Sequence, residues 1–365
     1  MKTDAAAMIV IDGSYGEGGG QVLRTSLTLS ALLKKPMRIE NIRAKRPKPG
    51  LAAQHLTGVL ATARICDARL EGAELGSQTL TFVPRSPPRA GRYAFDVAEA
   101  RKGGSAGATS LVFQTLLLPL AFAGGTSRLV IKGGTHVAWS PPFHYLKHVY
   151  LPTLRRMGIE AEVDIERWGW YPIGGGEMRA RIQGLGGKGF GLTSDLYPLT
   201  PIDLTERGPL KRLWGISATS NLPAHIGRRQ KRRAEEFLRQ LGFDPQIEIV
   251  DAPSPGQGTC VFLVAEYENA VAGFTSLGKR GKPAEKVAEE ACRQFVEYHR
   301  SGACLEGHLA DQLILPLALA SGPSAFTTSR ITQHLLTNVW VVEQFLEVGF
   351  EVEGKEGERG TVRRK

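Results

Sequence analysis

Leu118-Pro119-Leu120-Ala121-Phe122-Ala123-Gly124-Gly125 returns much later in the chain as Leu315-Pro316-Leu317-Ala318-Leu319-Ala320-Ser321-Gly322. Each run reads as the end of a buried helix, apolar on every side and stopped by glycine. Each leads into a β-like segment, 127–131 and 325–331. Working outward, residues 20–33, followed by Lys35-Pro36 and the segment 37–42, repeat the same order of helix, break and strand. A second helix is expected after each strand, over 53–70, 143–157 and 333–345. The openings of these helices align as His55-Leu56, His144-Tyr145-Leu146 and His334-Leu335. Further strands follow at 159–165 and 350–352. Repetition of this kind predicts a layered α/β (α+β) fold: three βαβα-type units, with sheets covered by their paired helices, form one large domain.

The third unit is interrupted. Residues between Ile182 and Gly307 fit no repeat position but carry elements of their own. Strands are expected at 213–219, 246–251 and 260–267, and helices at 227–241 and 283–298. A smaller inserted α/β domain is the simplest account, because insertions succeed where two exposed ends lie close together. Glycine-rich 184–191 opens the insert and Ser301-Gly302 closes it. The expected division is 1–185 plus 303–365 for the large repeat domain and 186–302 for the insert. Disorder is expected only at the ends, a short polar start and the densely charged 351–365.

At 365 residues, with 42% apolar and 22% charged side chains, the chain has the composition of an ordinary globular protein. Its 46 basic against 36 acidic residues leave a charge of +10, which favours polyanionic partners: RNA, DNA or a phosphorylated metabolite. The longest apolar run, 111–123, is broken by Gln114 and Pro119 and falls short of the ~20 residues of a membrane span. No secretory leader is legible, and Cys66, Cys260, Cys292 and Cys304 lack the spacing of a zinc site. These features lead to the expectation of a cytoplasmic protein with reduced, structural thiols, no membrane association and no obligate protein partner.

Three stretches carry candidate chemistry. In Asp12-Gly13-Ser14-Tyr15-Gly16-Glu17-Gly18-Gly19-Gly20-Gln21-Val22-Leu23-Arg24, three glycines open a helix. Bare backbone N–H groups at a positive helix terminus suit a phosphate. Glu17 suits a hard cation and Arg24 a phosphate; a tight turn explains the glycines equally. No Gly-Lys-Ser/Thr follows, so the segment is not a P-loop. A second triplet, Gly174-Gly175-Gly176-Glu177, reads as a turn. Arg43-Ala44-Lys45-Arg46-Pro47-Lys48-Pro49-Gly50 places four cations in a proline-stiffened loop, either a phosphate contact or a solvated charge run. The basic helix segment 228–233 reads as a solvated or weakly RNA-steering face. His334 opens a helix just beyond a strand end, where α/β layers hold their ligand crevices. It shares a repeat position with His55 and His144, so one cleft is expected to gather several imidazoles. A neutral imidazole is a competent nucleophile toward phosphorus; a capping or packed histidine is the alternative. Asp311 and Gln312 stand ahead of an apolar run, either as an ordinary helix start or as hydrogen-bonding groups for a nucleoside.

Taken in order, these residues resemble the RNA 3′-terminal phosphate cyclase family over nearly the whole chain, from Ile11 to Phe350. The resemblance rests on Asp12-Gly13-Ser14 with 17–24, Pro49-Gly50-Leu51 with Gln54-His55-Leu56, and Lys132-Gly133-Gly134-Thr135. It continues through Tyr171-Pro172 with 174–177, Ser276-Leu277-Gly278, Asp311-Gln312-Leu313 and His334. It implies an ATP-dependent ligase that converts an RNA 3′-phosphate end to a 2′,3′-cyclic phosphate, releasing AMP and diphosphate. His334 would take up AMP covalently and an RNA-adenylate would follow. The resemblance puts Glu17 at a Mg²⁺ or Mn²⁺ contact, and Arg24, Arg43 and Gln54 near the phosphates or the RNA end. It puts Gln114, Pro141, His308, Leu309, Ala310, Asp311 and Gln312 at the ATP. Two positions depart from the family's pattern: His308 stands where tyrosine is common, and Ile173 where a basic residue is common. A non-catalytic ribosome-biogenesis-type relative that binds RNA or protein is the alternative. It lacks the nucleophilic histidine, which this chain keeps. A transferase for a small phosphorylated metabolite would explain the repeats and arginines but not Asp311 and Gln312 beside His334.

Overall fold

The computed structural model describes residues 7–102, 104–185 and 198–365. The first unit runs β1 (Ile9–Asp12), α1 (Gly20–Leu33), β2 (Met37–Glu40), α2 (Ala53–Cys66), β3 (Arg69–Glu71), β4 (Leu80–Val83). Met37 and Ile39 point into the core while Arg38 and Glu40 point out, the two-residue period of a strand covered on one face. Left-handed Lys34 ends α1, and its N–H closes on the Ser30 carbonyl. The second helix stops at Cys66, short of the expected 70, because Asp67 turns left-handed and releases the chain into β3.

The second unit repeats this order as β5 (Arg92–Asp96), α3 (Thr109–Ala121), β6 (Ser127–Gly133), α4 (Phe143–Tyr145), α5 (Leu151–Arg155), β7 (Ala161–Arg167), β8 (Gly176–Ile182). A π-helical turn over Leu146–Tyr150 joins α4 to α5. It lies just ahead of Pro152, whose ring and missing N–H a wider turn accommodates.

The third unit begins with β9 (Asp203–Leu204). The insert follows as β10 (Leu210–Ser220), α6 (His225–Arg239), β11 (Gln246–Asp251), β12 (Gly258–Tyr267), β13 (Val271–Leu277) and α7 (Ala284–Ser301). The unit resumes with α8 (Gly307–Ala318), β14 (Ser324–Thr328), α9 (Gln333–Phe345), β15 (Phe350–Glu353) and β16 (Gly360–Arg364). The repeated Pro119 and Pro316 both fall in the last turn of their helices, α3 and α8.

The three repeat sheets share one topology: β1-β2-β4-β3, β5-β6-β8-β7 and β9-β14-β16-β15. In each, the first pair is parallel and the other two are antiparallel. The layered α/β fold with three repeats is the expected one, and each βαβα unit gains a closing antiparallel pair. Because β9 pairs with β14, the residues just after 198 belong to the third unit. The expected opening of the insert at 186, with most of 184–191, lies outside the described residues.

The tail is not disordered as expected. Most of its charges lie on the exposed side of β15 and β16, while Val362 is fully buried and Arg364 turns inward to donate to the Gly322 carbonyl at 2.7 Å. The insert's sheet is covered on both faces. Along β12, Cys260, Phe262 and Val264 join the main core, and Val261, Leu263 and Ala265 meet α6 and α7. That two-sided burial accounts for the unbroken apolar run.

Candidate active site

Four helix N-termini, those of α1, α2, α8 and α9, meet around the glycine-rich loop that precedes α1. Asp12 anchors the loop: its Oδ1 accepts from the Ser14 amide at 3.0 Å and from Asn41 Nδ2 at 3.2 Å. Gly16 (φ 58°) and Gly18 (φ 58°) take left-handed conformations. A Cβ on Gly16 would lie 2.3 Å from Thr337 Oγ1 of α9, so only glycine lets the loop approach that helix. Tyr15 stacks on Trp340 at 3.9 Å between ring centroids, and the Gln21 amide donates to the His334 carbonyl. The loop thus fastens the third unit to the first.

His334 follows Gln333 at the start of α9, whose amide N–H of Leu335 is capped by Thr332 Oγ1 at 3.0 Å. Its ring is half-buried, with Nε2 3.5 Å from Glu17 Oε2. The same Glu17 oxygen accepts from Arg46 at 3.1 Å. Burial holds the His334 imidazole below its ordinary range. Glu17 acts against that, while Arg24, His308 and Arg46 act with it. A neutral imidazole with an available nitrogen results near pH 7.

Arg24 is part-buried, and no hydrogen bond from its guanidinium to a protein acceptor is found among the described residues. Burial pushes it down to about 10, with Asp311 acting the other way, so it stays cationic at pH 7. Asp311 is buried, and its carboxyl is raised well above the usual range by burial and by Glu306; Arg24 opposes this. Arg43 (φ 53°) turns back to its own loop and donates to the Gly50 carbonyl at 2.7 Å. Burial, reinforced by Arg24 and Arg43, pushes the His55 imidazole down to about 3. The site therefore holds two part-buried cations, Arg24 and Arg43, with no carboxylate ion-paired to either among the described residues, whereas Arg46 is paired with Glu17. A phosphate would supply the missing anion.

The helix ends are not equivalent. Glu306 Oε1 and Oε2 accept from the Leu309 and His308 amides, both at 2.7 Å, so α8 is already closed by a carboxylate. Gly19 caps α1 in an extended conformation with no side-chain bond, and the first turn holds no acid. The end of α1 is therefore open and positive, as is that of α2, whose Ala52 cap makes no side-chain bond and whose first turn also lacks an acid.

The structure gathers Glu17, Arg24, Arg43, His308, Asp311 and His334 around this point. Gln54 lies on the adjoining edge and holds the Ala108 amide at 2.9 Å. Gln114 and Gln312 bond to each other at 2.5 Å, and Gln312 also donates to the His308 carbonyl at 2.7 Å. Leu309 and Ala310 are fully buried, and their amides bond to Glu306. Pro141 precedes α4, whose Tyr145 hydroxyl donates to Glu306. That bond brings the Pro141 loop toward the start of α8. His144 does not join the other two repeated histidines. It bonds to His136 at 2.9 Å and packs beside Trp168 and Phe262 of the insert. The expected gathering of three imidazoles fails because the insert covers this face of the second unit.

Several contributors escaped sequence reasoning. Arg46 lay within a basic run that offered no way to single it out. Asn338 ties α9 to both partners, donating to the Asp311 carbonyl at 2.7 Å and accepting from Thr25 at 2.8 Å. Only its place one turn after His334 hinted at this.

The family model described as RTC, RNA 3′-terminal phosphate cyclase, matches residues 15–352, which include these groups apart from Asp12 and Ser14 at the start of the loop. An RNA 3′-terminal phosphate cyclase of Methylococcus capsulatus is 53% identical over 93% of this chain and 91% of its own length. One from Nostoc punctiforme is 51% identical over 93% and 94%, respectively. One from Methanopyrus kandleri is 42% identical over 98% of both chains. Likeness of this extent, covering the glycine loop, the paired helix ends and His334 together, means that the chain belongs to the RNA 3′-terminal phosphate cyclase family.

Proposed function

We propose that this protein is an ATP-dependent RNA 3′-terminal phosphate cyclase, and that His334 is the nucleophile that carries AMP. The supporting observation is a neutral, half-exposed imidazole at a helix start, beside an open helix N-terminus and the cations Arg24 and Arg46.

In the first step His334 Nε2 attacks the α-phosphorus of ATP. A P–N bond forms, the bond to the β-phosphate bridging oxygen breaks, and diphosphate leaves. In the second, an oxygen of the RNA 3′-phosphate attacks the same phosphorus, and the P–N bond breaks to restore the imidazole. In the third, the 2′-hydroxyl attacks the activated 3′-phosphorus, loses its proton and expels AMP, leaving the 2′,3′-cyclic end. Oxide is a poor leaving group and AMP a good one, so covalent capture divides one hard displacement into easier ones.

The residues take distinct parts. Arg24, Arg43 and the α1 amides bind triphosphate or 3′-phosphate oxygens, and Gln54 positions the RNA end. Gln114, Pro141 and the start of α8 (His308, Leu309, Ala310, Asp311, Gln312) hold the nucleoside. Asp311, whose carboxyl burial raises, would accept a bond from the nucleoside when ionised and would donate one when protonated. Glu17 would hold Mg²⁺ or Mn²⁺. One carboxylate completed by phosphate oxygens and water suits Mg²⁺, although no cluster of three or more metal-binding side chains is found among the described residues. The ion, when bound, offsets the charge of the triphosphate.

The division into a repeat domain, 1–185 plus 303–365, and an insert within 186–302 belongs to this proposal, with β9 (Asp203–Leu204) on the repeat-domain side. So does a cytoplasmic location with no obligate protein partner. No helix among the described residues is long and apolar enough to cross a membrane, and the four cysteines are free and buried.

Incubation with ATP, Mg²⁺ and an oligoribonucleotide bearing a 3′-phosphate tests the reading. The expected product is a phosphatase-resistant 2′,3′-cyclic end formed with one AMP per end. An end that stays phosphatase-sensitive while the oligonucleotide still binds would point instead to the non-catalytic, RNA-binding relative.

A further inference from the structure

The two most exposed large apolar side chains among the described residues are both aromatic. Trp139 is 99% exposed and Tyr171 78%. Water contact over whole rings is unfavourable, and isolated surface aromatics are rarely this bare. They also stand on neighbouring loops. An isolated parallel bridge pairs His136 with Trp170, which places the loop carrying Trp139 beside the one carrying Tyr171.

Both loops are pinned rather than slack. The first closes where the Phe143 amide donates to the Thr135 carbonyl at 3.0 Å and Ser140 Oγ to the Val137 carbonyl at 3.0 Å. Trp139 itself has φ 64°, a costly conformation for a bulky residue, and that conformation holds the indole out. The second loop closes with the Gly174 amide on the Trp170 carbonyl at 2.7 Å, and Trp170 is anchored to Ser220 at 2.8 Å. Arg167, exposed, donates to the Gly175 carbonyl at 2.8 Å.

The position of the loops is as telling as their shape. Gln54 of the candidate site holds the Ala108 amide; Ala108 pairs with Gly134, where the Trp139 loop begins. Gly174 backs onto Ser105 and Ala106 of the same strip. The aromatic rim is thus continuous with the edge of the cleft that Gln54 occupies. Exposed Arg101 and Lys102 lie at the head of that strip. Aromatic faces beside flanking cations are the means by which single strands are held, bases stacking while cations follow the phosphates.

We propose that Trp139 and Tyr171 form a stacking platform for unpaired bases of the RNA strand just upstream of the 3′-phosphate. This rests on the RNA-end reading above. The platform favours single-stranded ends over ends buried in a duplex.

The test compares wild-type protein with Trp139→Ala and Tyr171→Ala, using 3′-phosphorylated oligoribonucleotides that are intact or lack the bases of their last nucleotides. Binding is followed by anisotropy of a 5′-dye, so it reads out whether or not cyclisation occurs. For the wild type, removing the bases should weaken binding about tenfold, in line with the stacking of one base on an aromatic ring. Each variant should weaken binding of the intact strand by a similar factor, and base removal should then cost it little more. Equal base dependence in wild type and variants would overturn the proposal. Loss of self-labelling by α-labelled ATP in Trp139→Ala would assign the indole to the nucleotide instead, and would overturn it too. Failure of cyclisation with this binding pattern intact would count against the cyclase reading alone.

Discussion

Gly20 shows how tightly the cleft is drawn. A Cβ there would lie 2.1 Å from His55 Nε2, and His55 is itself buried. Gly20→Ala should therefore displace the imidazole and pull α1 away from α2, at a cost of about 1–3 kcal/mol. Denaturant unfolding would measure that loss, and self-labelling with ATP should fall with it. A variant as stable and active as the wild type would show that the helix ends are not packed this closely. Much of the site was legible at this scale. The glycine run, Arg24 and His334 stood out because their residue types at helix starts suit phosphate chemistry. The role of His144 was not legible, because what surrounds it comes from the distant insert. Nor was that of Arg46, whose bond to Glu17 depends on how two loops fold together.

Whole elements were readable where periodicity was strong and were missed where strands were short. The helices α1 and α9 and the strand β11 lie at the expected positions. Short β3 and β9 carry too few side chains for a pattern, and charged β16 was mistaken for a loose end because its inward residues are few. The insert holds a core of its own between its sheet and the pair α6 and α7, with Phe295 of α7 fully buried in it. Phe295→Ala should cost about 3–5 kcal/mol, as large-to-small changes in such cores do. Circular dichroism during thermal unfolding would show the insert melting first, while self-labelling at low temperature persists. Loss of stability below 1 kcal/mol would mean that the insert is held mainly by its contacts with the second unit.

For the molecule as a whole, buried His55 and His136 and part-buried His144 set a limit on acid stability. Burial pushes His55 and His144 down to about 3, and holds His136 well below its ordinary range. In the unfolded chain each takes up a proton near pH 6.5; in the folded protein they do not. Stability contributed by these neutral rings is present above that pH and is lost as pH falls from about 6.5 toward 3. Each removes up to about 1.4 kcal/mol per pH unit. Unfolding midpoints at pH 7 and pH 5 should differ markedly, and His144→Phe should narrow the gap although it loses the bond to His136; an unchanged gap would contradict the assignment. The triple repeat was visible in the sequence because its helices share apolar runs. The docking of the insert on the second unit was not, since contacts such as Trp168 with Pro253 join residues with no common pattern. All of this architecture places one ring at one helix start, and exposure to α-labelled ATP with Mg²⁺ tests its purpose most directly. Label should attach to the wild-type protein through an acid-labile, alkali-stable bond and map to His334, and it should be absent from His334→Ala. Label retained by that variant would contradict the account.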